Sequence, residues 1–133
     1  GPAGAAEVAE YVSGSGVLTE LDLAGNGIDD AGAEALASAL RVNGVLKTID
    51  LNGNSLGTEG WCAIFAALRD NKKNKIESWD LTRQGINAEV AKVLAEYVSG
   101  SAVLKSLFLW DNSIGDEGAK ALASALRVNG VLK

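Results

Sequence analysis

The chain has no histidine, no methionine, one cysteine and one proline among its 133 residues. Without histidine, the side chain that most often serves as a general base near neutral pH, and most often binds metals, is missing. No GxxxxGK[ST] or GxGxxG segment is present to cradle a phosphate, so no cofactor, metal site or enzymatic activity is expected. Cys62 has no partner for an internal disulfide, so nothing points to an oxidising compartment, and the expected location is cytoplasmic. Lys and Arg number 12 against 17 Asp and Glu, a net charge of -5 that argues against binding the phosphates of nucleic acid. No apolar run approaches the roughly 20 residues that span a bilayer, and the N-terminus lacks the basic-then-apolar order of a signal peptide. Gly1-Pro2 resembles the remnant left by removal of a tag.

What is present is repetition. With 47% hydrophobic and 22% charged residues the chain supports a single core, read as one repeat domain over 1–133. Segments starting at Leu18, Leu46, Ile76 and Leu104 read LTELDLAGNGI, LKTIDLNGNSL, IESWDLTRQGI and LKSLFLWDNSI, with spacings of 28, 30 and 28 residues. Apolar residues at relative positions 4 and 6, such as Leu21 and Leu23, alternate as the inward face of a short strand does. Asn26, Asn54 and Asn112, with Gln84 in the third copy, stand where an amide serves the turn leaving the strand. The second half of each copy changes to helical period, as in Ala33, Leu36, Ala37 and Leu40, or Trp61, Ile64, Phe65 and Leu68. Asp30, Thr58 and Asp116, with Asn87 close by, are expected at the helix starts, and Asn43-Gly44 and Asn129-Gly130 at left-handed helix exits. The expected units are a leading helix 3–14, repeats 18–45, 46–75, 76–103 and 104–131, and the start of another strand at 132–133. A strand and a helix repeated at this period require parallel strands and crossovers of one hand.

These segments resemble the leucine-rich repeat family in its ribonuclease-inhibitor-like class, whose pattern is LxxLxLxxNxI followed by a helix. The matching positions are Leu18, Leu21, Leu23, Asn26 and Ile28 and their counterparts in the second and fourth copies; Trp79 and Gln84 make the third copy deviant. The resemblance implies an α/β fold, a right-handed solenoid forming a short horseshoe arc, with a parallel sheet on the concave face and helices on the convex one. It also implies a binding scaffold for a protein partner.

A longer period overlies the short one. Gly32 to Lys47 recurs as Gly118 to Lys133 with only Glu34 changed to Lys120, an offset of 118 − 32 = 86. Val8 to Leu18 nearly recurs at the same offset as Leu94 to Leu104. Tandem duplication accounts for this, and so does assembly from a repeated cassette; an engineered or excised module without a native ligand is the alternative to a natural binding scaffold. Neither end has the polar character of a capping repeat, so self-association through the ends is expected.

On the face where this family binds partners, Asp22, Asp50, Asp80 and Phe108 form one column and Ala24, Asn52, Thr82 and Trp110 another. Three aspartates about 5 Å apart on adjacent strands attract a basic partner or a cation, although Asp is common there in the family. Phe108 and Trp110 place two aromatics on a polar surface, the kind of group that anchors interfaces; packing on a further repeat accounts for them equally. Trp61 and Trp79 read as core, Cys62 as an inert thiol, and Asn71-Lys72-Lys73-Asn74-Lys75 as a solvated basic loop. GTPase-activating proteins of this repeat class work from their loops, which makes Arg83, with Asp111 at the same place in the next copy, the remaining regulatory alternative.

Overall fold

A computed structural model describes residues 4, 8, 9 and 18–128. Gly4, Val8 and Ala9 are helical; the rest of the expected leading helix, the Asn129-Gly130 exit and the strand start at 132–133 lie outside the described residues. Four strand-then-helix units follow: β1 (Glu20–Asp22) and α1 (Asp30–Leu40), β2 (Thr48–Asp50) and α2 (Thr58–Asp70), β3 (Ser78–Asp80) and α3 (Ala88–Gly100), β4 (Ser106–Phe108) and α4 (Gly115–Val128). Each helix packs on the next in order and each strand neighbours the next, so the chain builds two rows joined by one apolar cluster. Leu36, Ile64, Leu94 and Leu122 enter that cluster from the helices, and Leu51, Leu81 and Leu104 from the strand side.

The strands pair in parallel, Leu21 opposite Ile49 and Trp79 opposite Leu107, as the repeat spacing requires. They do not form the single continuous sheet expected, because pairing breaks between β2 and β3. One backbone hydrogen bond, from Glu77 N to Lys47 O (2.9 Å), crosses that junction among the described residues. The turn residue explains the break. Asn54 Oδ1 accepts from Asn26 N and Ile28 N (both 2.9 Å), while its Nδ2 donates to Leu23 O (2.8 Å) and Leu51 O (3.0 Å), tying unit 2 to unit 1. Asn112 ties unit 4 to unit 3 in the same way. Gln84 is longer by one methylene, and its amide turns back on Thr82 O (2.9 Å) without reaching unit 2.

An aromatic cluster packs units 2 and 3 together. Trp61 stacks on Phe65 (centroids 5.6 Å), Phe65 stacks on Tyr97 (6.2 Å), and Trp79 meets Phe65 edge-on (5.4 Å). All four are buried, and such pairs contribute about 0.5–1.5 kcal/mol each beyond the area they remove from water. The two tryptophans are therefore core, as expected; the participation of Tyr97 is not visible in the repeat pattern. The cluster leaves Trp61 Nε1, Trp79 Nε1 and Tyr97 Oη buried without hydrogen-bond partners.

Capping differs from the expectation in an informative way. Asp29 and Asn87 cap α1 and α3, accepting from Gly32 N and Val90 N (both 3.0 Å). Asp30 caps the helix of the following unit instead, its Oδ1 accepting from Gly57 N (2.6 Å) and Gly60 N (3.0 Å). Gly57 at the start of α2 has no side chain to do so itself. Nor does Asn43-Gly44 make a left-handed exit, since neither residue has positive φ; the buried Asn43 Oδ1 accepts from Val45 N and Leu46 N, and the chain turns on that side chain. Asn71, expected in a merely solvated loop, is also buried and donates to Leu40 O (2.7 Å) and Asn43 O (2.8 Å) of the preceding unit.

Candidate functional site

The expected column of three aspartates is registered only in part, because pairing stops between Asp50 of β2 and Asp80 of β3. Asp22 pairs with Asp50 in register, Asp80 pairs with Phe108, and all four are exposed. Each carboxylate is partly committed to its own backbone: Asp22, Asp50 and Asp80 accept from Ala24 N, Asn52 N and Thr82 N at 2.9–3.1 Å. That bond shapes the strand exit, which is a structural reason for Asp at this position in three units. None of the ion pairs among the described residues involves the column. With Glu20, Thr48 and Ser78 the column lines an open depression of about 370 Å³. Among the described residues no three acidic or sulfur ligands converge on a point that a metal would occupy.

Unit 4 changes the character of this face. Phe108 is 50% exposed and Trp110 73% exposed, next to a row of acids. Their backbone carbonyls pair with unit 3, Phe108 O accepting from Leu81 N (2.8 Å) and Trp110 O from Arg83 N (2.9 Å). Beside them, Arg83 and Asp111 adopt φ of 56° and 57°, where the equivalent Gly25 and Gly53 have 68° and 75°. A left-handed conformation costs a side-chain-bearing residue roughly 1–2 kcal/mol. The two are joined by an ion pair, Arg83 Nε to Asp111 Oδ2 at 3.0 Å, with both side chains largely in water. Arg83 is thus held against its own chain. Both candidates come from adjacent loops of the same rim, but the pairing itself was not legible in sequence; its one signal is that opposite charges replace glycine at the same position of consecutive copies.

The remaining candidates separate from this face. Asn26, Asn54 and Asn112 act in the turns, and Gln84 departs from them as described. Cys62 lies part-buried on α2, and its thiol pKa is raised by burial and then by nearby Glu89, the opposite of the activated thiolate needed for nucleophilic chemistry. On the helix row, Arg69 bonds Glu96 of the next helix (2.8 Å) and Asp70 (3.0 Å), and Arg41 approaches Asp70 (3.6 Å). The hydrogen bond from Arg69 holds the Asp70 carboxyl below its ordinary range. Among the described residues no helix is long and apolar enough to cross a membrane.

Comparison with known proteins bears on the fold. The family model described as Leucine Rich repeat matches residues 17–37 and 100–123. No curated protein matches the sequence. Among solved structures, leiomodin-1 actin-binding site 2 superposes with a TM-score of 0.76 at 20% identity, covering 97% of this chain and 73% of that one. The tropomodulin C-terminal domain of Caenorhabditis elegans gives 0.75 at 16% identity, covering 97% and 77%. At these identities the likeness is one of fold. Strand, turn and helix repeat through four units, with asparagine in three of the turns and Gln84 in the other; the leucine-rich repeat model matches two stretches of the chain, and the solved structures share its fold.

Proposed function

We propose that the chain is a non-enzymatic protein-binding scaffold of the ribonuclease-inhibitor-like class, a right-handed arc with its strand row concave. Phe108 and Trp110 anchor the partner, and Asp80, Asp50 and Asp22 extend the contact toward basic groups. The observation that carries this is the pair of exposed aromatics beside the acidic residues of the strand row. Buried aromatic anchors supply most of the binding energy in many interfaces, and unpaired acids guide a basic surface into register. The leiomodin-1 neighbour, named as an actin-binding site, supports a protein as the class of ligand and makes actin the first probe to try. The Arg83–Asp111 pair makes a GTPase-activating role for Arg83 the weaker proposal, since a free guanidinium is what that chemistry requires.

The test is partner capture through a photo-reactive residue at position 106, two residues before Phe108 on the same strand, with purified actin and then cell extract, followed by affinity measurement on whatever protein is trapped. Phe108→Ala with Trp110→Ala should weaken binding by about 100-fold, a loss of about 2.8 kcal/mol, with the circular dichroism spectrum unchanged. Equal affinity for wild type and the double variant would sink the proposal. A concentration-dependent mass in sedimentation, lost in the double variant, would show that the rings serve self-association instead.

A further inference from the structure

The loop that joins unit 2 to unit 3 is built differently from the loops on either side of it. Where unit 1 meets unit 2, Asn71 reaches back across the junction, its Nδ2 donating to Leu40 O (2.7 Å) and Asn43 O (2.8 Å). At the next junction the residue in that place is Ser101. Its Oγ accepts from Val103 N (3.3 Å) and Leu104 N (3.0 Å), as Asn43 Oδ1 accepts from Val45 N and Leu46 N, but it carries no side-chain amide to send back. The longer loop supplies that amide from within. Asn74 Nδ2 donates to Leu68 O (3.2 Å) and Asn71 O (2.8 Å), the carbonyls equivalent to Leu40 O and Asn43 O. The loop is thereby bonded to its own helix end, and a cavity of about 250 Å³ stands between it and the end of α3.

The charge of this cavity runs against that of the chain. Arg69, Lys72 and Lys75 line it and no lining residue is acidic, although the whole chain carries 17 Asp and Glu against 12 Lys and Arg. Arg69 is held by Asp70 and Glu96, neither of which lines the cavity. Lys72 and Lys75 are exposed and make no ion pair among the described residues. The ammonium of Lys72 stands at the cavity wall, since a Cβ on Gly100, the last residue of α3, would lie 3.3 Å from its Nζ. A cation there also offsets the negative, carbonyl end of α3, which would otherwise repel an anion. Two unpaired ammonium groups match the charge of a phosphoryl group, about −1.5 to −2 near neutral pH, better than that of a single carboxylate. Lysine serves such groups as a point charge, so the cavity between loop and helix end supplies the fit.

We infer that the cavity between the Asn71–Lys75 loop and the end of α3 binds a phosphoryl group, with Lys72 and Lys75 as its ligands. It lies on a loop that enters a strand, whereas Arg83 and Asp111 lie on loops that leave one, and it does not depend on the exposed rings of the strand row. Lys73 belongs to the same loop but not to the cavity lining, and its carbonyl faces unit 1, where a Cβ at Gly44 would lie 3.4 Å from it. Lys73 is therefore a control of equal charge within the same segment.

The test follows amide chemical shifts of the full chain by NMR during titration with sodium phosphate, and separately with N-acetyl-O-phosphoserine amide, against sodium chloride of equal ionic strength. Saturable shifts are expected at Lys72, Lys75, Ser101 and Val103. Lys72→Gln with Lys75→Gln should weaken binding by about tenfold or more, and Lys73→Gln by less than about threefold. The thermal midpoint of the double variant should stay within about 2 °C of the parent. Tighter binding of the phosphoserine derivative assigns the site to a phosphorylated side chain of a partner; equal or tighter binding of inorganic phosphate assigns it to the free ion. Shifts that sodium chloride reproduces, or an equal loss in Lys73→Gln, would overturn the inference. So would a lowered midpoint in the double variant with no saturable binding by the parent, since Lys72 would then serve only the carbonyl end of α3.

Discussion

Gln84→Asn is the sharpest test of why the strand row breaks. Asn54 makes four hydrogen bonds with its side chain, two received and two donated, and two of these partners lie in the turn of the preceding unit with a third on its strand carbonyl. Gln84 makes one, to its own loop. Asparagine at 84 would regain three, with the amides of Asn54 and Leu56 as donors and the carbonyl of Leu51 as a further acceptor. These sites are part-buried, so the lower end of the usual range, about 0.5 kcal/mol each, is appropriate, giving about 1.5 kcal/mol in total. At about 2.1 cal/mol/K per residue over the chain, that is a rise of about 5 °C in the thermal midpoint. Urea unfolding by tryptophan fluorescence, with amide exchange at Asn54 and Leu56, measures both stability and its location. The converse, Asn54→Gln, should cost about 1.5–3 kcal/mol because it strands donors that are now satisfied. If Gln84→Asn leaves stability and exchange unchanged while Asn54→Gln is costly, the turn residue is not the cause, and the aromatic cluster holds units 2 and 3 too far apart for any amide to bridge.

Other consequences follow from the same contacts. Tyr97→Phe removes a buried hydroxyl without a partner, so stability should be unchanged or higher by up to about 1 kcal/mol, read by urea midpoint; a loss above that would mean that the Trp79 indole, which lies near the hydroxyl, bonds to it in solution. Arg83→Gly and Asp111→Gly should each be neutral or stabilising by up to about 1 kcal/mol, because relief of the left-handed conformation outweighs a solvent-exposed ion pair. The lowered Asp70 pKa has a definite sign: its contribution is present above the ordinary carboxylate value of 3.8 and lost as pH falls through the lower folded value. Asp70→Asn should therefore flatten the acid limb of the stability curve and converge with wild type at the lowest pH; parallel curves would exclude that origin.

Period and chemistry were legible from the chain alone, because they are properties of one repeat. A strand needs alternating leucines, its exit needs a short amide or carboxylate, and a helix needs an apolar stripe, so Leu21, Asn26 and Ala33 announce their roles at any copy number. The face that carries Phe108 and Trp110 could be read in the same way, since their two columns alternate with the leucines, although packing on a further repeat accounted for them equally. What only the tertiary structure decided are the relations between copies. Asp30 looks like a cap for its own helix and serves the next; Asn71 looks like a loop residue and fastens the unit before it; Tyr97 looks like one apolar position and completes a cluster spanning two repeats. Sequence periodicity records what each unit repeats, whereas a stacked protein is held by contacts roughly 28 residues apart, and the geometry of those contacts exists only once the units are side by side.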